Sequence, residues 1–314
     1  MPKKLESLTG EEWNTLPRDK TLFVLDISGL EHHGPHLPVG MDALESRAIR
    51  TQVIEQVESQ PDPWIIVELP SVCGTVSGNS GSPLKIEIRG HVIRDYLVDT
   101  VFSLWKNGFR YCAVFTGTLT PKHLATIEEA SEMIRRRCLR SLPLKHRFFA
   151  KSRIPVFISA SSTLVEREGL WRSPLWPDPI EHGGARDTSI GLLMAPDHVS
   201  ELWKGLPPYS LPDSRWKRLS LRIRSQGPSY WGTPAQATQE YGERDIQRSV
   251  KKITAPLLQV LRGQAKPEQH FRSGYALFPT NRSLFTVWLM SLALIGIMTL
   301  WVLLNLKWMT EMGE

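Results

Sequence analysis

Cysteine is scarce in this chain: Cys73, Cys112 and Cys138 are an odd, widely spaced set among 314 residues. That excludes both a disulfide scaffold and a paired CxxC zinc module, and three reduced thiols fit a cytosolic compartment. No apolar run follows Met1-Pro2-Lys3-Lys4, so the N-terminus is not expected to act as an export signal. No stripe of Lys and Arg interleaved with stacking aromatics appears, and nucleic acid is not an expected partner. No repeat at a period of about 20–50 residues is visible, which sets solenoids aside. Acidic residues are outnumbered, 32 against 38 Lys and Arg, for a net charge of +6, and this modest excess suits an anionic membrane surface. Aromatics, in contrast, are plentiful. With 11 Trp, 10 Phe and 6 Tyr, most of the chain must fold around a core rather than stay a solvated coil.

Short apolar runs at Thr21–Ile27, Trp64–Leu69, Tyr111–Thr116 and Ile154–Ser159 are rich in β-branched and aromatic residues and bounded by turn residues. They read as strands. Helical periods lie between them, over Asp42–Ser59, His91–Asn107 (stopped by Gly108) and His123–Arg137, and another spans Gln239–Ile253. Strands alternating with helices predict an α/β body over residues 1–255, a mostly parallel sheet with helices on both faces. A binding site in such a sheet is expected beyond the carboxyl ends of the strands. Residues 256–282 read as a linker.

From Leu284 to Leu304 no charge interrupts 21 residues. A helix of that length is about 31 Å long, enough for a hydrocarbon core of about 30 Å. Trp288 and Trp301 stand near its ends, and Arg282 and Lys307 bound it. A single transmembrane helix over 283–306, meeting membrane lipid and followed by a short polar tail over 307–314, is the expectation. The basic excess on the body places that body in the cytoplasm. Two basic stretches, 135–153 and 215–224, are either solvated faces or contacts with anionic lipid or a partner subunit.

Directly after the first strand comes Glu31-His32-His33-Gly34-Pro35-His36-Leu37-Pro38-Val39-Gly40-Met41-Asp42. Glu31 and His33, two apart in extended chain, point to one side. The Gly- and Pro-punctuated loop can bring Asp42 back to them. Mixed imidazole and carboxylate donors suit Zn²⁺ or Mn²⁺, although three histidines in five residues also fit a polar loop.

This segment closely resembles the E-x-H-G-x-H-L-P-x-G-x-D signature of the creatininase (creatinine amidohydrolase) family. The resemblance continues in Gly108-Phe109-Arg110, in His182-Gly-Gly-Ala-Arg-Asp187-Thr-Ser189, and in Gly232-Thr-Pro234-Ala-Gln-Ala237 with Gly242. It covers residues from about 20 to 255. It implies an α/β protein, commonly a homo-oligomer, that hydrolyses a C–N bond of a small cyclic or linear amide with one or two divalent ions. It further implies metal ligation by Glu31, His33 and Asp42, with Asp42 as the bridge, and a catalytic or substrate-contacting role for His182.

The sequence also departs from that pattern. Thr116-Gly117-Thr118 stands where the family has N-G-H, so a ligand is replaced by a threonine. Asp187 stands in place of a glutamate and can still ligate, and the segment from Cys73 to Pro83 lacks the family's histidine. His123 is a candidate substitute donor. Trp171 and Trp176, just before His182, read either as a lid over the pocket or as core residues. Three readings stand: a single-metal hydrolase using Glu31, His33, Asp42 and Asp187, a catalytically inactive accessory or scaffold subunit of a membrane complex, and a protein that binds a small amide without turning it over.

Overall fold

A computed structural model describes residues 2–76, 84–143, 154–161, 163–164, 181–212, 228–271 and 282–311, the last segment with side chains over 289–303. Strands β1 (Lys3–Lys4), β2 (Thr21–Ser28), β3 (Ile65–Glu68), β4 (Val72–Cys73), β5 (Tyr111–Phe115) and β6 (Val156–Ser159) form the sheet in the order β1-β3-β2-β5-β6. β4 pairs with the far end of β2, and every pairing is parallel.

The alternation within β2 explains the three layers. Leu22 and Val24 enter one apolar cluster, whereas Phe23, Leu25 and Ile27 enter the other. Ala113 and Phe115 of β5 divide from Cys112 and Val114 in the same way. A strand apolar on both faces must be covered on both. Helices α2 (Met41–Glu58), α5 (Ala185–Met194) and α6 (Gln239–Leu261) cover the first face, and α3 (Gly90–Lys106) and α4 (Pro121–Ser141) cover the second. α1 (Gly10–Thr15) adds Trp13 to the second layer, edge-on to Phe109 at 4.8 Å. Each large side chain buried there, such as Phe23, contributes about 1.5–3 kcal/mol.

α6 differs from the sequence expectation. It runs past Ile253 and through Pro256 to Leu261. Pro256 gives up one backbone hydrogen bond, yet Leu257, Val260 and Leu261 continue the buried face laid down by Ile246, Val250 and Ile253. Packing outweighs the break. Phe271, after the short α7 (Pro267–His270), also joins that core, so the body reaches well into residues read as linker.

α8 spans Arg282–Glu311. Its side chains from Leu289 to Leu303 are exposed on this single chain, and the Thr299 hydroxyl donates back to the Ile295 carbonyl at 2.9 Å. Among the described residues, which include α8 side chains only over 289–303, no helix is long and apolar enough to cross a membrane, so the transmembrane helix expected over 283–306 is not shown. In the basic stretch, Arg135 and Arg136 pair with Glu132, and Arg137 pairs with Asp99. Residues 144–153, the stretch 215–224, Trp171, Trp176 and residues 77–83 lie outside the described residues.

Candidate metal centre

The site forms where β2 ends. Its following loop closes on itself, Glu31 N–H donating to the Val39 carbonyl at 3.0 Å, and lies along residues 84–86 through His32 N–H to Leu84 O (3.1 Å). This closure carries Asp42, in the first turn of α2, back toward Glu31 and His33 as the loop's Gly and Pro content predicts. The close approach depends on Gly117: a Cβ there would lie 2.0 Å from the Asp42 carbonyl oxygen.

Donor atoms of Glu31, His33 and His182, all buried, lie within 4.8 Å of one another. His33 Nδ1 faces the Glu31 carbonyl at 2.9 Å, an oxygen that can only accept, so Nδ1 carries its hydrogen. Nε2 therefore faces Asp42 Oδ1, 3.1 Å away. Two lone-pair-bearing atoms cannot stay at that separation in a buried site unless something positive lies between them. In the metal-free protein it is a proton: burial opposes the charge, but the Asp42 hydrogen bond and the charges of Asp42, Asp187 and Glu31 outweigh it and hold His33 up to about 10. Burial likewise pushes the Asp42 carboxyl upward, and its hydrogen bonds from His33 and Thr118 more than reverse that.

His182 reaches the site from the segment just before α5, a helix that packs beside α2. Its backbone pairs with Trp231 (3.0 and 2.8 Å), and its Nε2–H donates to the His32 carbonyl at 2.9 Å. The ring lies between His33, with centroids 4.1 Å apart, and the indole of Trp231, stacked at 4.7 Å. Burial, then the His33 charge, lowers its pKa to about 4, so the ring is neutral with its lone pair on Nδ1. Gly183, at φ +60°, is required beside it because a Cβ would lie 2.4 Å from the His33 carbonyl oxygen.

Asp187 is placed differently from the resemblance. Its Oδ2 accepts from Gly183 N–H at 2.7 Å and its Oδ1 from Arg186 at 3.2 Å. It braces the His182 loop instead of joining the Glu31–His33–His182 group. Arg186, itself half-buried, also binds Glu45 of α2 and Asp245 of α6. Glu181, which accepts from the Arg186 N–H, is raised to about 7 by burial and by the Asp187 charge.

His123 is not a substitute donor. Its Nδ1 accepts from Val76 N–H (3.2 Å), and its Nε2 faces the Ile27 carbonyl (3.1 Å) and the Thr116 hydroxyl (3.2 Å). Both nitrogens are committed to holding β2, β5 and the 76 region together. Burial lowers its pKa from the ordinary 6.5 to about 4 despite the Ile27 bond and the Asp42 charge. The unfolded chain thus takes up this proton near pH 6.5 and the folded one near 4. Its contribution is full above 6.5 and falls as the pH drops toward 4, by about 3 kcal/mol in all. Urea unfolding at pH 7.5 and 4.5 should show the loss, and His123→Gln should flatten the slope.

Trp231, Glu181 and Arg186 were not singled out by sequence. The only signal for Trp231 was its place beside Gly232-Thr-Pro234.

The fold has solved counterparts. A creatininase structure with manganese matches with a TM-score of 0.60 at 20% identity, covering 83% of this chain and 99% of that one. A zinc–zinc form of a creatininase variant gives 0.59 at 19% identity, with the same coverage. A creatinine amidohydrolase homologue from Bacteroides fragilis gives 0.56 at 20% identity, covering 83% and 96%. No curated protein matches the chain. At these identities the likeness shows the fold, and the family model described as creatinine amidohydrolase matches residues 6–257. With the signature loop closed around Glu31, His33 and Asp42, and most of the chain inside that match, this protein belongs to the creatininase family.

Proposed function

We propose that the protein is a metal-dependent amidohydrolase acting on a C–N bond of a small cyclic or linear amide. The observation that carries this reading is His33 Nε2 facing Asp42 Oδ1 across 3.1 Å beside Glu31 and His182. A buried set of imidazole and carboxylate donors fits Zn²⁺ or Mn²⁺, and the neighbours that hold Mn or Zn have the same fold. Glu31, His33 and Asp42 would hold the ion, with the Nδ1–H bond to the Glu31 carbonyl fixing the His33 tautomer. When bound, it supplies Lewis acidity toward the amide carbonyl.

The chain's own groups do the rest. His182, fixed through Nε2–H on the His32 carbonyl and held in plane by Trp231, has Nδ1 left to accept a proton from the attacking water and return it to the leaving nitrogen. Arg186 and Asp187 hold the loop that carries it. Assay of small cyclic amides with MnCl₂ or ZnCl₂ tests this. His182→Asn should lower kcat by about 10²–10⁴-fold with the metal content retained, and an unchanged rate would refute the role.

The accessory-subunit reading is favoured by one observation, the mutual satisfaction of His33, Asp42 and Thr118. It predicts no turnover and no effect of Glu31→Gln. The body is further proposed to be held on the cytoplasmic side of a membrane by α8. Support comes from the uncharged Leu284–Leu304 run and the exposed apolar side chains of 289–303. Extraction by detergent but not by alkaline carbonate would bear on it.

A further inference from the structure

We propose that Thr118 makes this a one-ion centre, closing the side of Asp42 on which a second dication would have to sit. This rests on the metal reading above. The two oxygens of Asp42 have opposite surroundings. Oδ1 looks toward His33, and with it Glu31 and His182, a cluster of lone-pair donors. Oδ2 accepts from the Thr118 hydroxyl at 2.5 Å, and that hydroxyl oxygen in turn accepts from Gly29 N–H at 2.7 Å. The Oδ2 side therefore presents hydrogens, which complement an anion's lone pairs and repel a cation.

There is little room either, since a Cβ on Gly29 would lie 2.9 Å from Oδ2 and 2.8 Å from the Thr118 oxygen. The next groups outward are committed. The Thr116 hydroxyl accepts from Thr118 N–H at 3.0 Å and meets His123 Nε2 at 3.2 Å. His123 spends its remaining nitrogen on Val76. A dication needs several oxygen or nitrogen donors with lone pairs free, and among the described residues on this side Asp42 alone could supply one. The bridging role implied for Asp42 by the sequence resemblance is thus not available to it. Asp42 serves one ion through Oδ1 and is anchored to β5's following loop through Oδ2.

The test is metal stoichiometry with a spectroscopic readout. Full-length protein in detergent is stripped with chelator, titrated with MnCl₂, and followed by calorimetry and electron paramagnetic resonance. The wild type should bind one equivalent and give an uncoupled manganese spectrum. Thr118→Val, which keeps the shape and removes the hydroxyl, should also bind one, because it adds no donor. Thr118→His, which adds a nitrogen donor facing Oδ2, should bind two with exchange-coupled signals. Two equivalents in the wild type would overturn the proposal and leave the metal reading standing. No binding by wild type would overturn the metal reading itself, and this proposal with it.

Discussion

Glu31→Gln is expected to empty the site. Glutamine keeps the shape of the side chain and removes the charge, so the effect is electrostatic and not a packing failure. Glu31 is only 2% exposed, and water cannot substitute easily for a lost donor there. Substitution of an outer-shell partner already costs about 10–100-fold in metal affinity or activity. Losing the carboxylate that, among the described residues, shares a 4.8 Å cluster with the His33 and His182 imidazoles should therefore cost about 100-fold or more in Mn²⁺ or Zn²⁺ affinity. Amide hydrolysis should fall by at least as much. Because the backbone of Glu31 makes its bonds, N–H to the Val39 carbonyl and carbonyl to His33 Nδ1–H, without help from the side-chain charge, the thermal midpoint should move little. Equilibrium dialysis with elemental analysis reads the first effect and circular dichroism the second. A variant that retains full metal and full rate would contradict the ligand assignment.

Arg186→Met should produce the largest loss of stability. One guanidinium answers Glu45 from α2, Asp187 from α5 and Asp245 from α6, and all three acids are buried. Burial raises the Glu45 carboxyl, and Arg186 is what draws it back toward ionisation. Methionine fills a similar volume but leaves the acids facing one another. Breaking a buried ion pair by removing one partner costs about 3–5 kcal/mol, which for a domain of this size lowers Tm by roughly 10 °C. Arg186→Lys should recover part of it, since the charge returns without the planar fork. Differential scanning calorimetry decides the matter. A loss below about 1 kcal/mol would mean that the cluster is mostly protonated or hydrated, not held by Arg186.

The sheet and most helices were legible in the sequence because they rest on short-range patterns. β2, β3, β5 and β6 each showed as an apolar run, and α2 and α3 began and ended within a residue of their expected limits. Where local signals conflicted with packing, packing decided. Pro256 marked an end to α6 that the buried face of Leu257, Val260 and Leu261 overrode. α5 was hidden because its residues were read for their chemistry as a motif and not for their period.

The site divides along the same line. Glu31, His33 and Asp42 lie within one loop and its helix, so spacing brought them together. The stack of His33, His182 and Trp231 joins segments about 50 and 150 residues apart, and no spacing rule reaches that far. Asp187 and Thr118 teach the same lesson at finer grain. A carboxylate in the expected place turns to Arg186 and Gly183, and a threonine in place of a ligand caps Asp42. Neither outcome is visible until their neighbours from other elements are.

The most direct test is anomalous X-ray scattering from crystals soaked in MnCl₂, collected on both sides of the manganese edge. One peak is expected beside His33 Nε2 and Asp42 Oδ1, in contact with Glu31, His33 and Asp42, the residues that would hold the ion. Absence of any peak there at saturating manganese, with His33 Nε2 and Asp42 Oδ1 still in direct contact, would contradict the account.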